Sequence, residues 1–190
     1  MTCIAGLVHR GTVYLAGDSA SGDTAGYFID VVHDPKIFQV GPFTMGFTTS
    51  WRMGQLLQHQ LQVPPRIQGY SDEKYLALSV INAVRGCLKE GGFAKKELEV
   101  EHGGTFLIGY EGKLYRVEGD YQVCRPREEW AAIGCGYQFA LGALYATRGW
   151  ADSPKVRLEA ALNAAARYSA FVRGPMLYLE GPPPSPQSGG

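Results

Sequence analysis

The sequence predicts an α+β fold: two antiparallel sheets held between outer layers of helices, an αββα sandwich. Three observations predict it. Pairs of apolar runs separated by short turns recur at residues 3–17, 37–48 and 105–118. Two stretches of helical period, 51–62 and 71–90, follow the first strands, and two more, within 137–148 and 153–172, follow the later ones. Strands and helices are therefore segregated along the chain, which suits antiparallel sheets covered by helices.

The elements follow in order. Residues 3–8 and 13–17 are mostly apolar and flank Gly11-Thr12, so they read as a hairpin of buried strands. SASGDTAG (19–26) is small and turn-forming and reads as a loop. Residues 37–40, the turn Gly41-Pro42 and residues 43–48 repeat the hairpin. In WRMGQLLQHQLQ, Trp51, Leu56, Leu57 and Leu61 share one side of a helix, which the prolines of VPPR end. Ser71-Asp72-Glu73 starts a long amphipathic helix, with apolar positions at Tyr75, Leu78, Ile81 (or Val80), Val84 and Leu88, and Gly91-Gly92 stops it. AKKELEVEH mixes charges and reads as a solvated segment. TFLIGY and KLYRVE flank Glu111-Gly112 as a hairpin, and YQVC continues the strands. WAAIG is a short strand, after which a glycine bend leads into a helix. A second helix starts at Ser153 with Pro154 in its first position. PMLYLEG is the last strand. Residues 1–181 form one domain in this reading, and 182–190, rich in Pro, Gly and Ser, form a disordered tail.

Composition narrows the function. Apolar residues make up 45% of the 190, enough for one globular core. Lys+Arg and Asp+Glu are both 18, so no net charge draws the chain to nucleic acid or to an anionic membrane. The four cysteines form no CxxC, and the four histidines form no HxxxH, so neither a metal nor any other cofactor is expected. No charged leader precedes an apolar segment, and no apolar run approaches the roughly 20 residues that span a bilayer. Thinly spread thiols fit a reducing compartment, so a cytoplasmic protein is expected.

One set of residues points to chemistry. Removal of Met1 would make Thr2 the chain start, placing a hydroxyl nucleophile and a free α-amine on one residue. That amine titrates near 8, within range of a general base, so no histidine is needed. Asp18 lies sixteen positions on (18 − 2), where the second strand of the hairpin returns to the chain start. Lys36, at the head of the next strand, would be a fixed positive charge if it points inward beside Asp18, lowering the pKa of the Thr2 hydroxyl. Gly46 leaves room for a substrate backbone, and an N–H near Ser50 could stabilise an oxyanion. Each residue alone also has an ordinary structural explanation: a strand threonine, a turn aspartate, a snorkelling surface lysine.

Together, Thr2, AGDS, PKIFQV, GPFTMGF and AAIGCGYQFALGAL resemble the proteasome β-subunit group of N-terminal-nucleophile (Ntn) hydrolases, including the bacterial threonine protease that works with an unfoldase ATPase. The resemblance runs in the same order of elements to about residue 180. It implies Thr2 as nucleophile, Asp18 and Lys36 as its charge-setting partners, and Ser50 at the oxyanion position, where the family often has glycine. It puts Cys135 where the family has a serine near the α-amine, and Ser169 or its neighbours where many members carry an aspartate. The family further implies a homo-oligomer, ring-shaped, acting on peptide or unfolded protein, with an ATPase as a candidate partner. Without a propeptide, maturation would rest on methionine removal. Two other functions remain open: a non-catalytic structural or assembly subunit if Met1 stays on, and an amidase of the same superfamily acting on a small amide.

Overall fold

The computed structural model describes residues 2–23, 27–97, 99–150 and 153–186, and of Lys96 the backbone alone. Met1, whose removal the chemistry above requires, lies outside the described residues, as do the ends of the 19–26 loop and of the tail.

Two antiparallel sheets carry the fold. The first has four strands in the order β12 (Trp130–Gly134), β1 (Cys3–His9), β2 (Thr12–Gly17) and β13 (Leu177–Glu180). The second has five, in the order β11 (Val123–Cys124), β10 (Lys113–Val117), β9 (Phe106–Tyr110), β6 (Phe43–Phe47) and β5 (Ile37–Val40). Two tight turns set the registers. Arg10 and Gly11 both take positive φ between β1 and β2, as do Glu111 and Gly112 between β9 and β10. Paired left-handed residues of this kind match the right-handed twist of the strands they join. The first turn sits one residue earlier than the Gly11-Thr12 expected from sequence.

Three apolar clusters hold the elements together. One draws on both sheets, with Ile4 and Leu15 of the first and Leu107 and Leu114 of the second. Another packs the five-stranded sheet, through Phe43, Met45 and Ile108, against α1 (Trp51–His59) and α3 (Ile81–Glu90). The last packs the four-stranded sheet, through Ala5, Leu7 and Ala16, against α4 (Tyr137–Ala146) and α5 (Pro154–Tyr168).

Three local features differ from the sequence expectation. Part of the 19–26 loop forms a ribbon of β3 (Ala20–Gly22) with β4 (Ile29–Val31), and part of AKKELEVEH forms another, β7 (Lys95–Glu97) with β8 (Val100–His102). All four strands are only three residues long, too short for a two-residue apolar period to announce them. The long helix also changes pitch. From α2 (Asp72–Lys74) it passes through a π-helical stretch, Tyr75–Val80, into α3. Bonding from i to i+5 adds a residue to that turn. Burial therefore steps from Tyr75 and Leu76 to Val80 and Ile81, and Leu78 swings out to 49% exposure.

This pitch makes a simple prediction for urea unfolding. Leu76→Ala, at a fully buried position, should lose roughly 2–5 kcal/mol. Leu78→Ala should change stability by about 0.5 kcal/mol or less. Equal losses would restore the uninterrupted α-helical period.

Candidate active site around Thr2

The hairpin of β1 and β2 brings the end of the second strand back to the beginning of the first. Asp18 N–H donates to the Cys3 carbonyl at 3.2 Å, and Cys3 N–H donates to Asp18 Oδ1 at 2.9 Å. Ala20 N–H donates to Oδ2 at 3.0 Å, and Arg173 N–H reaches the same oxygen at 3.4 Å. Lys36 Nζ, arriving at the head of β5, lies 2.9 Å from Oδ1. Neither side chain of this ion pair exceeds 1% exposure. The inward-pointing Lys36 is therefore the arrangement found, and the snorkelling surface lysine is not.

Thr2 is buried immediately before β1. Its neighbour across the sheet is the end of β12, where Cys3 pairs with Gly134. Gly134 has φ +92, and a Cβ there would collide with the Thr2 carbonyl. Glycine is thus required twice over, by conformation and by space. Cys135 follows at the surface, close enough to interact electrostatically with both Lys36 and Cys3. Thr2, Asp18, Lys36 and Cys135 consequently gather at one end of the four-stranded sheet.

The charges are shaped by burial. Desolvation pushes the Lys36 ammonium below its ordinary pKa of 10.5, with Asp18 opposing that fall. Burial pushes the Cys3 thiol up to about 12; Asp18 adds to the rise and Lys36 works against it. Cys3 is thus held as a neutral thiol.

Ser50 is the N-cap of α1, and its Oγ accepts from Arg52 N–H at 3.1 Å. Its own N–H donates to the Thr48 carbonyl at 2.9 Å, closing a γ-turn over Thr49 at φ +75. That φ is strained for a β-branched residue. Thr49 Oγ1 helps to hold the turn by accepting from Thr105 N–H at 3.2 Å. The segment lies beside Lys36, whose Nζ is 5.7 Å from the centre of the Trp51 ring. Ser169 is more remote. It caps the C-terminus of α5, and its carbonyl accepts from the Arg173 guanidinium at 3.4 Å, so its tie to Asp18 runs through Arg173.

Sequence reasoning missed the clasp behind Asp18. Ser19 Oγ donates to the Pro175 carbonyl at 2.7 Å, and Ser19 N–H donates to the Arg173 carbonyl at 2.9 Å. Trp51 Nε1 likewise donates to Ser21 Oγ at 3.1 Å. Ser19, inside AGDS, was the one visible signal. Arg173 acts on Asp18 through its backbone, which no residue type reveals. Among the described residues, no group of three or more His, Cys, Asp or Glu could hold a metal, and no helix is long and apolar enough to cross a membrane.

With this geometry in view, solved structures offer a comparison. BPH of Thiobacillus denitrificans, a bacterial proteasome homologue solved in complex with epoxomicin, matches 97% of this chain and 100% of its own, at 22% identity and a TM-score of 0.77. HslV of Trypanosoma brucei matches 94% of this chain and 98% of its own, at 16% identity and a TM-score of 0.67. Anbu of Yersinia bercovieri matches 95% and 81%, at 11% identity and a TM-score of 0.65. The chain has the fold of the proteasome-type Ntn hydrolases. The sequence itself matches no family model and no curated protein. At these identities the likeness is one of fold, and the site has to be argued from its own residues.

Two predictions test the electrostatics. Asp18→Asn leaves the buried Lys36 without its counter-charge and should lose roughly 3–5 kcal/mol in urea unfolding. Lys36→Met leaves Asp18 its backbone donors and should lose clearly less; equal losses would contradict the asymmetry. For Cys3, the folded pKa lies above the unfolded value of 9.0, so the folded state holds the proton longer. Its contribution is fully present below pH 9.0 and is lost as pH rises toward 12. Cys3→Ala should therefore flatten the alkaline fall in stability across that window, and an unchanged slope would place the thiol in water.

Proposed function

We propose that the chain is a threonine-type amide hydrolase of the proteasome kind, with Thr2 as its nucleophile once Met1 is removed. The observation that carries the proposal is the buried Asp18–Lys36 pair at the chain start. A lysine this deep, with its pKa lowered and its counter-charge fixed, suits the stabilisation of an alkoxide beside it. In the proposed mechanism the α-amine of Thr2 takes the proton from its own hydroxyl. The oxygen attacks the substrate carbonyl carbon, and the resulting oxyanion is held by backbone N–H groups near Ser50. The C–N bond breaks, the leaving amine takes the proton from the α-ammonium, and an ester to Thr2 remains. Water, deprotonated by the same amine, then hydrolyses that ester. Cys135 occupies the rim of this site, and Ser169 stands behind it through Arg173.

Peptide or unfolded protein is the proposed substrate, the αββα layering the proposed architecture, and a homo-oligomeric ring in the cytoplasm the proposed assembly, with an unfoldase ATPase as its candidate partner. The three apolar clusters support the layering. Aromatic side chains exposed along α4 and at the end of α5, among them Phe139, Tyr145 and Tyr168, support association.

One observation favours the rival, a non-catalytic subunit: the Ser50 N–H is already bonded to Thr48. In the hydrolase, that γ-turn must open to release the donor, and the strain at Thr49 favours opening.

Intact mass and epoxomicin labelling separate the two. The hydrolase predicts loss of one methionine and an epoxomicin adduct at Thr2, absent in a folded Thr2→Ala variant. Retained Met1, or an adduct that survives in Thr2→Ala, would overturn it.

A further inference from the structure

The inner face of β10 departs from the pattern of its own core. Leu114 joins the cluster between the sheets, with Ile4 and Leu15. By the two-residue period of a strand, Arg116 shares that face, with Glu118 following just past the strand end. An ion pair, each of its side chains more than a third exposed, thus continues that face where the core ends, with Arg116 Nε 2.6 Å from Glu118 Oε1. The space in front of them is a cavity of about 440 Å³, walled in part by Thr48, Thr105, Arg116, Glu118, Gly134 and Tyr137. Gly134 is the residue whose Cβ, were there one, would meet the Thr2 carbonyl, so the cavity adjoins Thr2. Arg116 Nε is itself buried and, despite its short approach to Glu118, has no hydrogen-bond acceptor among the described residues.

We propose that this cavity is a substrate subsite selecting a carboxamide side chain, glutamine or asparagine, next to the bond that is cut. The proposal rests on the hydrolase reading above. Its volume falls in the range of small-ligand sites. The pair of charges sums to zero, so an acidic side chain meets Glu118 as well as Arg116, and a basic one meets Arg116 as well as Glu118. An apolar side chain strips water from both charges and returns no hydrogen bond. A carboxamide carries an acceptor for the guanidinium and a donor for the carboxylate on one planar group. Sites built on such hydrogen bonds discriminate more sharply than apolar ones.

The test is a peptide library randomised at the two residues flanking the cleaved bond, with epoxomicin labelling of Thr2 run in parallel. At one flanking position, Gln and Asn should exceed Leu, Glu and Lys by at least about tenfold in kcat/KM. Glu118→Gln should move that preference toward Glu, and Arg116→Gln should move it toward Lys, shifts that a purely structural ion pair would not produce. An epoxomicin adduct with a flat or apolar profile, or a profile unchanged in both variants, would overturn the subsite and leave the hydrolase standing. Neither adduct nor cleavage would overturn the hydrolase, and the subsite with it.

Discussion

The carboxylate of Asp18 has almost no access to water, so it needs protein donors on both oxygens. It finds them in Cys3 and Ala20, in Arg173 and in Lys36. Those donors come from the first strand, the ribbon that follows the second, the approach to the last strand and the head of β5. A single buried charge therefore ties segments that enter both sheets, from Cys3 to Arg173, to one point. Removing it would leave several backbone N–H groups unsatisfied and take the Asp18 counter-charge from a buried ammonium. Lys36 depends on Asp18 more than Asp18 depends on Lys36, because the backbone donors hold the carboxylate whether or not the cation is there.

The geometry around this point divides rigid parts from strained ones. Gly134 lies hard against Thr2, and Ser19 clasps the segment before β13. The opposite wall is under tension. Thr49 adopts a conformation that suits glycine, held by the Ser50 to Thr48 bond and by Thr105. Strain of about 1–3 kcal/mol at such a residue is commonly kept where a backbone group must change partners. In the proposed hydrolase the N–H that an oxyanion would use sits in that turn, so on that proposal ground-state stability and catalytic competence oppose each other there.

The order of strands and helices was legible in the sequence because burial leaves a period, and the three hairpins of the two sheets carry theirs openly. The ribbons β3–β4 and β7–β8 were not, since strands of three residues are too short to carry a period. The π-helical stretch was also hidden: Leu76 and Leu78 are the same residue type, and only the extra residue in the turn decides which is buried. At the site, the closeness of Asp18 to the chain start followed from hairpin topology, whereas the inward direction of Lys36 was open in the residues themselves and was implied only by the family resemblance. The γ-turn at Thr49 and the backbone role of Arg173 depend on φ and on main-chain groups, which residue identities do not encode. Nothing in the residue types of KLYRVE marks Arg116 and Glu118 as a pair, because their meeting depends on the sheet face they share.

The central claim is that the Asp18–Lys36 pair sets the electrostatics felt by Thr2. It is tested most directly by following the Lys36 side-chain nitrogen by NMR through a pH titration, with Thr2 either untouched or covalently blocked. The account predicts a midpoint below the ordinary 10.5 that moves when Thr2 is blocked. A midpoint at or above 10.5, unmoved by the block, would contradict it.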